Sequence, residues 1–279
     1  MSHTMLFQNP ANTEQQNASF SNTVWSLLQH ELQQEASVGK LEKFLLHQQS
    51  SMPPGSLLAH VLAEKLCDQS PPFHTLYGLF EHIFKHTPAV LHAAAQDLHA
   101  YHSRDPTCPD YITAFKTFKG FLAIQAYRIA HVLWHDTQRL SALHLQSRVS
   151  EVTGIDVHPA ATLGCRLILG HGGGIVIGET TLIENDVVIM NDVTLGGTGK
   201  HGGKLHPTVR QGCLVGPGAQ VLGPIELGEG AKIGAGAVVV KAVSPFRAVA
   251  GNPARSVNSH STWPVLKMDL ELPSIDYLI

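Results

Sequence analysis

A histidine surrounded by glycines, His171, stands in the segment Gly170–Gly174. Imidazole titrates near neutral pH, so a histidine among small residues can act as a general base. Asp156 precedes it by fifteen residues. A carboxylate bonded to one ring nitrogen fixes the tautomer and strengthens the other nitrogen as a base. The pattern makes His171 a candidate base that Asp156 could orient, with a histidine that takes no part in catalysis as the alternative.

A second glycine-rich segment lies between Val193 and Val209 and contains Gly196, Gly197, Gly199, Gly202 and Gly203. Glycines let backbone approach a ligand closely, and loops that leave a regular scaffold often carry binding residues. The G-x-x-x-x-G-K-[ST] pattern of nucleotide-binding loops is missing here. We therefore predict a ligand-binding loop, with a loop that is only mobile as the alternative.

The remaining histidines and cysteines favour structural roles. The pairs His82/His86 and His131/His135 have the spacing of metal ligands on a helix, but no H-E-x-x-H motif or third ligand accompanies them, so no metal is expected. The four cysteines form no C-x-x-C pair, which indicates a reduced, cytoplasmic protein. Cys165 and Cys213 are predicted to be small core or corner residues.

The scaffold that positions these residues is a repeat of six. Mostly aliphatic residues recur at Val157, Leu163, Leu169, Ile175, Thr181, Val187 and Val193 and, after a gap of sixteen, at Val209, Val215, Val221, Leu227, Ile233 and Val239. Three flat six-residue strands make one triangular coil, and coils that stack bury a continuous core. The gap equals one repeat plus a ten-residue insertion. A sandwich of short strands would not hold a phase of six, so we predict a parallel β-helix over residues 151–257.

The N-terminal half has a different texture. Residues 21–150 contain few glycines, and apolar residues recur at helical spacing, as in Leu57, Leu58, Val61 and Leu62. The predicted fold class is therefore α+β, with an all-α domain followed by the β-helix. Residues 1–20 are predicted to be a disordered tail, and residues 258–279 a flexible one.

Charge and hydropathy exclude several classes of function. The 279 residues carry a formal net charge of −3, which gives no electrostatic reason to expect nucleic acid or an anionic membrane as a partner. No apolar run reaches the roughly 18 residues of a membrane span. The polar N-terminus lacks the features of a signal peptide. A cytoplasmic, reduced protein is the simplest interpretation.

Several segments together resemble serine acetyltransferases over roughly residues 95–257. The matching stretches are Ser103-Arg104-Asp105-Pro106, Lys119-Gly120-Phe121, Gln125–Ile129, Asp156–Ala160, Gly178-Glu179-Thr180, Ile183–Asp186, Val193–Lys200 and Ala231–Gly236. Some of these lie outside the repeat, so the resemblance exceeds that of any hexapeptide protein. It implies a left-handed β-helix, a homotrimer or dimer of trimers, and transfer of an acetyl group from acetyl-CoA to serine in cysteine biosynthesis.

The resemblance also implies roles for individual residues. His171 matches the catalytic base and Asp156 its partner, while Asp105 and His206 match residues that contact the amino-acid substrate. Gly197, Pro217, Lys232 and Ala235 match the groove that holds acetyl-CoA. That groove lies between neighbouring β-helices of a trimer.

Two departures concern the acceptor. The family carries an aspartate where this chain has Gly170, and an arginine where it has Leu205. These residues hold the ammonium and the carboxylate of serine and of the inhibitor cysteine, so another hydroxylated acceptor is an alternative. Lys204 compensates only if the loop is reshaped.

The C-terminal segment carries a further resemblance. Its acidic residues Asp269, Glu271 and Asp276 precede Ile279, similar to the tail that family members insert into O-acetylserine sulfhydrylase. A non-catalytic partner of that enzyme is therefore a third interpretation.

Overall fold

Helices form the N-terminal half of the computed structural model, which describes residues 14–40, 46, 49–199, 202–266 and 268. Seven α-helices have described bounds: α1 Glu14–Glu35, α2 Pro54–Leu66, α3 Phe73–His86, α4 Pro88–Arg104, α5 Tyr111–Thr117, α6 Lys119–His135 and α7 Arg139–Thr153. Proline opens α2 and α4, where the missing N–H removes no helical hydrogen bond. No helix within the described ranges is long and apolar enough to cross a membrane.

Helix α1 begins at Glu14, seven residues before the predicted domain boundary at residue 21. Val24, Trp25, Leu28 and Leu32 bury one side of α1 against the domain. The Phe20 ring packs edge-on against His99 of α4. Residues 1–13 of the predicted tail lie outside the described residues.

Short parallel strands form a triangular coil after Gly154, which ends α7 with a left-handed φ of 73°. They are β1 Ile155–Val157, β2 Thr162–Leu163, β3 Ile168–Leu169, β4 Ile175–Ile177, β5 Leu182–Ile183, β6 Val188–Ile189, β7 Thr194–Gly196, β8 Thr208–Val209, β9 Leu214–Val215, β10 Gln220–Leu222, β11 Glu226–Leu227, β12 Lys232–Ile233, β13 Val238–Val239, β14 Arg247–Ala250 and β15 Arg255–Ser259. From β1 to β13 every third strand joins the same sheet, while β14 pairs parallel with β12 and β15 antiparallel with β14. The sheet orders are β1-β4-β7-β10-β13, β2-β5-β8-β11 and β3-β6-β9-β12-β14-β15. The predicted helical domain followed by a β-helix is confirmed.

All thirteen repeat positions are buried, but β4, β5, β6 and β7 stack Ile177, Ile183, Ile189 and Leu195, each two residues after the predicted position. Val157 pairs with Ile177, and Ile177 with Leu195, so the second coil stacks Ile177 where the period of six indicated Ile175. Twenty residues separate the partners Asp156 and Val176, whereas eighteen separate Val176 and Thr194. Two extra residues therefore lie in the turn of residues 170–174, which contains His171. The loop before β8 accounts for the other eight residues of the predicted insertion.

Side chains from α4 and α6 cover the open edge of the first coil. From α6, His131, Tyr127 and Arg128 contact the carbonyls of Pro159, Ala161 and Gly164 at 2.7, 2.5 and 2.8 Å. From α4, Asp97 accepts from the Leu167 N–H at 3.0 Å, and the Tyr101 hydroxyl bonds both backbone groups of Leu169. An uncovered edge would leave these groups without partners, so the helical domain is the cap that a solenoid requires.

The chain after β14 folds back against the coil. Strand β15 pairs antiparallel with β14, Trp263 packs on Gly212, and Val265 is fully buried. Residues 258–266 of the predicted flexible tail therefore make contacts with the β-helix. The predicted tail contact through Ile279 lies outside the described residues.

Candidate active site

His171 projects from the turn between β3 and β4, within the first of four stacked turns that we name the His171 corner (residues 170–174, 190–193, 216–219 and 234–237). Its Nε2 lies 2.8 Å from Asp105 Oδ2. The Phe118 ring packs edge-on against the imidazole at a centroid distance of 4.0 Å. The His171 side chain remains 39% exposed. A neutral ring that donates from Nε2 to this carboxylate presents Nδ1 as the basic nitrogen.

Asp105 is fixed at the point where α4 ends. Its backbone N–H donates to the Tyr101 carbonyl, and its Oδ1 accepts from the Thr107 N–H at 2.9 Å and the Thr107 hydroxyl at 2.7 Å. Burial alone would raise the pKa of Asp105, but the hydrogen bonds from His171 and Thr107 outweigh it and hold the pKa below its usual value. An ionised carboxylate therefore faces the imidazole at neutral pH.

Asp156 does not orient His171 within this chain. It lies on the outer face of β1, opposite Val176, and its Oδ1 accepts from Gln146 Nε2 at 2.6 Å. Within this chain the hydrogen bond to His171 comes from Asp105, which was predicted as a substrate contact. The predicted role of Asp156 as the partner of His171 stays a prediction, and it would require His171 of a neighbouring chain.

His206 lies at a different corner, which we name the His206 corner (residues 158–161, 178–181, 197–199 and 202–207). Its Nδ1 accepts from the Thr180 N–H at 3.1 Å and contacts the Thr180 hydroxyl at 2.9 Å. Gly178 faces the ring so closely that a Cβ there would overlap it. Burial lowers the pKa of His206, which favours the neutral ring, and nearby Glu179 opposes this shift. His206 is thus a held, neutral histidine remote from Asp105.

The predicted acetyl-CoA residues divide between the two corners. Pro217 and Ala235 stack on the His171 corner, where the Gly236 N–H donates to the Pro217 carbonyl at 2.8 Å. Lys232 is buried on β12, the strand that leads into the Ala235 turn. Gly197 belongs to the His206 corner, and a Cβ on it would lie 3.5 Å from His206 Nε2. One chain therefore carries two separated parts of the predicted site.

The two unusual acceptor positions also divide between the corners. A Cβ on Gly170 would lie 2.5 Å from the Asn191 nitrogen, so any side chain there requires a backbone shift. Leu205 is held by its own N–H, which donates to the Thr180 hydroxyl at 2.9 Å. The Lys204 ammonium donates to the Thr208 hydroxyl at the start of β8. Lys204 is thus engaged with the second sheet and does not take the place of an arginine at position 205.

Sequence reasoning missed Thr107, Phe118 and Tyr101, which surround His171 and Asp105. Thr107 follows the Asp105-Pro106 turn, and Phe118 directly precedes α6. Neither belongs to the repeat, so periodicity gave no signal for them. The Ser103–Pro106 motif was the nearest clue.

The histidine pairs at helical spacing have structural surroundings. His86 Nδ1 contacts the His82 carbonyl at 2.8 Å, and buried His131 contacts the Pro159 carbonyl. Within the described residues, no group of three or more metal-ligating side chains converges.

Comparison with known proteins places the chain in a family. The model for the N-terminal domain of serine acetyltransferase matches residues 24–126, and the six-repeat bacterial transferase hexapeptide model matches residues 206–241. Serine acetyltransferase of Escherichia coli K12 is 45% identical over 224 residues, which cover 80% of this chain and 82% of that protein. The chain belongs to the serine acetyltransferase family. It is therefore an acyltransferase.

Solved members of the serine acetyltransferase family share the whole fold. The soybean enzyme in complex with serine superposes with a TM-score of 0.83 at 42% identity, covering 85% of this chain and 99% of that one. A serine acetyltransferase in complex with CoA gives a TM-score of 0.81 at 39% identity, covering 85% of this chain and 100% of that one. Both the helical cap and the β-helix thus belong to the shared architecture.

Proposed function

We propose that this chain transfers the acetyl group of acetyl-CoA to the hydroxyl of L-serine, giving O-acetyl-L-serine for cysteine biosynthesis. The observation that carries the proposal is the Asp105–His171 hydrogen bond of 2.8 Å at an open, glycine-rich corner. A serine hydroxyl ionises far above neutral pH, so the reaction requires a positioned base. The family membership agrees with this acceptor and this acyl donor.

In the proposed mechanism, His171 Nδ1 takes the hydroxyl proton while the serine oxygen attacks the thioester carbonyl. The carbon–sulfur bond then breaks, CoA leaves as a thiolate, and the imidazolium returns the proton to sulfur. The ionised Asp105 stabilises the imidazolium that forms between these steps. The acetyl group passes directly to the acceptor, because no side-chain nucleophile is required.

The residues of the two corners fit a groove for acetyl-CoA that is shared between chains. Pro217 and Ala235 lie two and three turns beyond His171 along the same corner, and their small or rigid side chains leave the backbone open to an extended ligand. Gly197 and His206 face outward at the other corner. A threefold assembly would set the His171 corner of one chain against the His206 corner of the next, so we propose a trimer or a dimer of trimers.

Subunit complementation tests the shared site. His171→Ala and His206→Ala chains, each inactive alone, are co-expressed and purified as mixed oligomers. Shared sites predict that activity returns, because some interfaces pair an intact His171 corner with an intact His206 corner. Mixed oligomers as inactive as the parents would show that each site lies within one chain.

A second acceptor has a specific observation in its favour. Gly170 offers no side chain, Leu205 is apolar, and Lys204 is engaged with Thr208, so the ionic grip on a zwitterion is weakened. A hydroxylated acceptor without both charges, such as a sugar, would lose less by these replacements. Release of the CoA thiol, measured with serine, other hydroxy-amino acids and sugars, decides between the two. Faster turnover of an uncharged acceptor than of serine would overturn the proposed substrate.

We also propose, from the family resemblance alone, that residues 267–279 bind O-acetylserine sulfhydrylase. Calorimetry with the full chain and with a chain that ends at residue 266 tests this. Equal affinity of both chains would contradict it, and acetyl transfer is expected to be the same in both.

A further inference from the structure

Two side chains on one face of α4, and the side chain of Asp105 directly after the helix, contact every second residue from Leu167 to His171. Asp97 Oδ1 accepts from the Leu167 N–H at 3.0 Å, and Asp105 Oδ2 contacts His171 Nε2 at 2.8 Å. Between them, the Tyr101 hydroxyl accepts from the Leu169 N–H at 2.9 Å and donates to the Leu169 carbonyl at 2.8 Å. Steps of four residues on the helix thus match steps of two on the strand.

The match has a geometric basis. Four residues of an α-helix advance about 6 Å, and two residues of a strand advance about 6.6 Å. The helix and the edge therefore stay in register over three contacts, and each contact restrains the next. The catalytic contact, Asp105 with His171, is the last of the series and follows directly from the Tyr101–Leu169 contact.

Tyr101 is more deeply buried than His171, whose hydrogen bond with Asp105 is the next contact in the series. Its side chain is fully buried, and Gly120 of α6 closes on the same hydroxyl and on the Leu169 carbonyl. His171, by contrast, is 39% exposed and follows Leu169 by two residues. The Asp105 N–H also donates to the Tyr101 carbonyl. Tyr101 therefore bonds the Asp105 backbone on the helix side and the Leu169 backbone, two residues before His171, on the strand side.

We propose that Tyr101 is a positioning residue: its hydroxyl fixes the distance between the end of α4 and the His171 turn, and so holds Asp105 and His171 in hydrogen-bonding register. This inference rests on the proposed role of His171 as base. The hydroxyl touches no reacting atom and acts only through the register. Loss of this register misplaces the base, and a misplacement of about 1 Å can lower the rate roughly a hundredfold.

The chain supplies a matched control in Tyr127. Its side chain is also buried, 3% exposed, and its hydroxyl donates to a backbone carbonyl of the same coil, that of Ala161, at 2.5 Å. Ala161 ends the first turn of its corner, two turns before the turn that contains Gly197 and His206, and it does not adjoin His171. Tyr101→Phe and Tyr127→Phe each remove one buried hydroxyl from the cap of the first coil, so both are expected to lower the melting temperature. The two variants differ in whether the hydroxyl that is lost bonds the strand that leads into His171.

Steady-state kinetics of both variants test the proposal at a temperature where circular dichroism shows that both are folded. We expect Tyr101→Phe to lower kcat roughly ten- to hundredfold with KM for acetyl-CoA nearly unchanged, and Tyr127→Phe to keep kcat within about twofold. An equal fall in kcat for both variants would overturn the proposal, because it would reflect stability alone.

A double-mutant cycle supplies the second measurement. If Tyr101 acts through the Asp105–His171 contact, Tyr101→Phe added to Asp105→Asn should lower kcat little further. Additive losses would contradict the proposal. His171→Ala separates the two levels of inference: full activity of that variant would refute the proposed base, whereas an inactive His171→Ala beside an unaffected Tyr101→Phe would refute only the role of Tyr101.

Discussion

Asp105 Oδ2 lies 2.8 Å from His171 Nε2, although sixty-six residues separate the two in the chain. The contact joins the residue that directly follows α4 to the first turn of the His171 corner. The helical half therefore does more than cover the open edge of the coil, because it supplies the carboxylate that faces the proposed base. Damage to the packing between the two halves should consequently appear in catalysis as well as in stability.

His171→Ala should abolish most acetyl transfer, because the acceptor hydroxyl then has no positioned base. Loss of a general base typically lowers the rate by about 10²–10⁴-fold. His260→Ala is the control, since His260 contacts the Gly230 carbonyl at a corner remote from His171. Activity of His171→Ala within about twofold of the unmodified chain, measured as release of CoA thiol, would contradict the assignment.

Asp105→Asn and Asp156→Asn should differ. Asn at 105 cannot carry the charge that stabilises the imidazolium, and loss of that carboxylate in a His–Asp pair lowers kcat by up to about 10⁴-fold. Asp156 bonds Gln146 on α7 instead, so its replacement should affect kcat far less. The ratio of the two kcat values is the measurement. A larger loss in Asp156→Asn would return the orienting role to Asp156, acting on His171 of a neighbouring chain.

The period of six predicted the β-helix because stacked coils need one aliphatic side chain per strand, and all the predicted positions are buried. It could not locate where the extra residues enter. Ile175 and Ile177 are both aliphatic and both buried, so either phase satisfies the pattern. The consecutive glycines Gly173 and Gly174 were the sequence signal that the turn is longer there. In the structure their φ angles are 80° and 71°.

The repeat also gave no signal for the residue that bonds His171 within this chain. Counting residues per coil brings Asp156 and His171 near each other along the coil but carries no information on which face of the sheet a side chain occupies. Asp105 follows α4 directly, and contacts between a helix and a solenoid edge leave no periodic trace in the sequence. Only the Ser103–Pro106 resemblance directed attention to Asp105.

Stability should fall in acid through Asp186, which joins the two halves of the chain. Its carboxylate accepts from Arg166 at 2.7 Å and from Arg104, at the end of α4, at 2.5 Å. Burial raises the pKa of Asp186, but the two arginines outweigh burial and lower it from 3.8. A carboxyl whose folded pKa is depressed stabilises the fold above its unfolded pKa, and that contribution is lost as pH falls through the folded pKa.

Asp186→Asn should therefore destabilise the chain at pH 7, by roughly 3 kcal/mol as for one partner removed from a buried pair. Its melting temperature should then fall less than that of the unmodified chain as the pH drops below about 4. Glu184→Gln is the control, because Glu184 pairs with the more exposed Arg210 and such pairs contribute at most about 1 kcal/mol. If the melting temperatures of the unmodified chain and of Asp186→Asn fall by the same amount as the pH is lowered, the role of Asp186 is contradicted.

The acceptor corner should respond to a single arginine. Serine carries a carboxylate, and Leu205 offers it no donor, so we expect a high KM for serine and weak inhibition by cysteine. Leu205→Arg can be introduced without strain at the backbone, which is held by the bond from the Leu205 N–H to Thr180, whereas Gly170→Asp must displace the backbone at Asn191. A hydrogen bond to a charged group contributes about 1.5–3 kcal/mol, which is roughly a ten- to hundredfold fall in KM for serine. Cysteine should become a stronger inhibitor by a similar factor, because it presents the same carboxylate.

Two control variants separate charge from size. Leu205→Gln adds length and polarity without charge and should lower the KM for serine much less. Lys204→Ala should leave the KM for serine and the inhibition by cysteine unchanged, since that ammonium is engaged with Thr208. If the unmodified chain already binds serine tightly and Lys204→Ala weakens that binding, Lys204 supplies the missing charge and the argument from Leu205 is wrong.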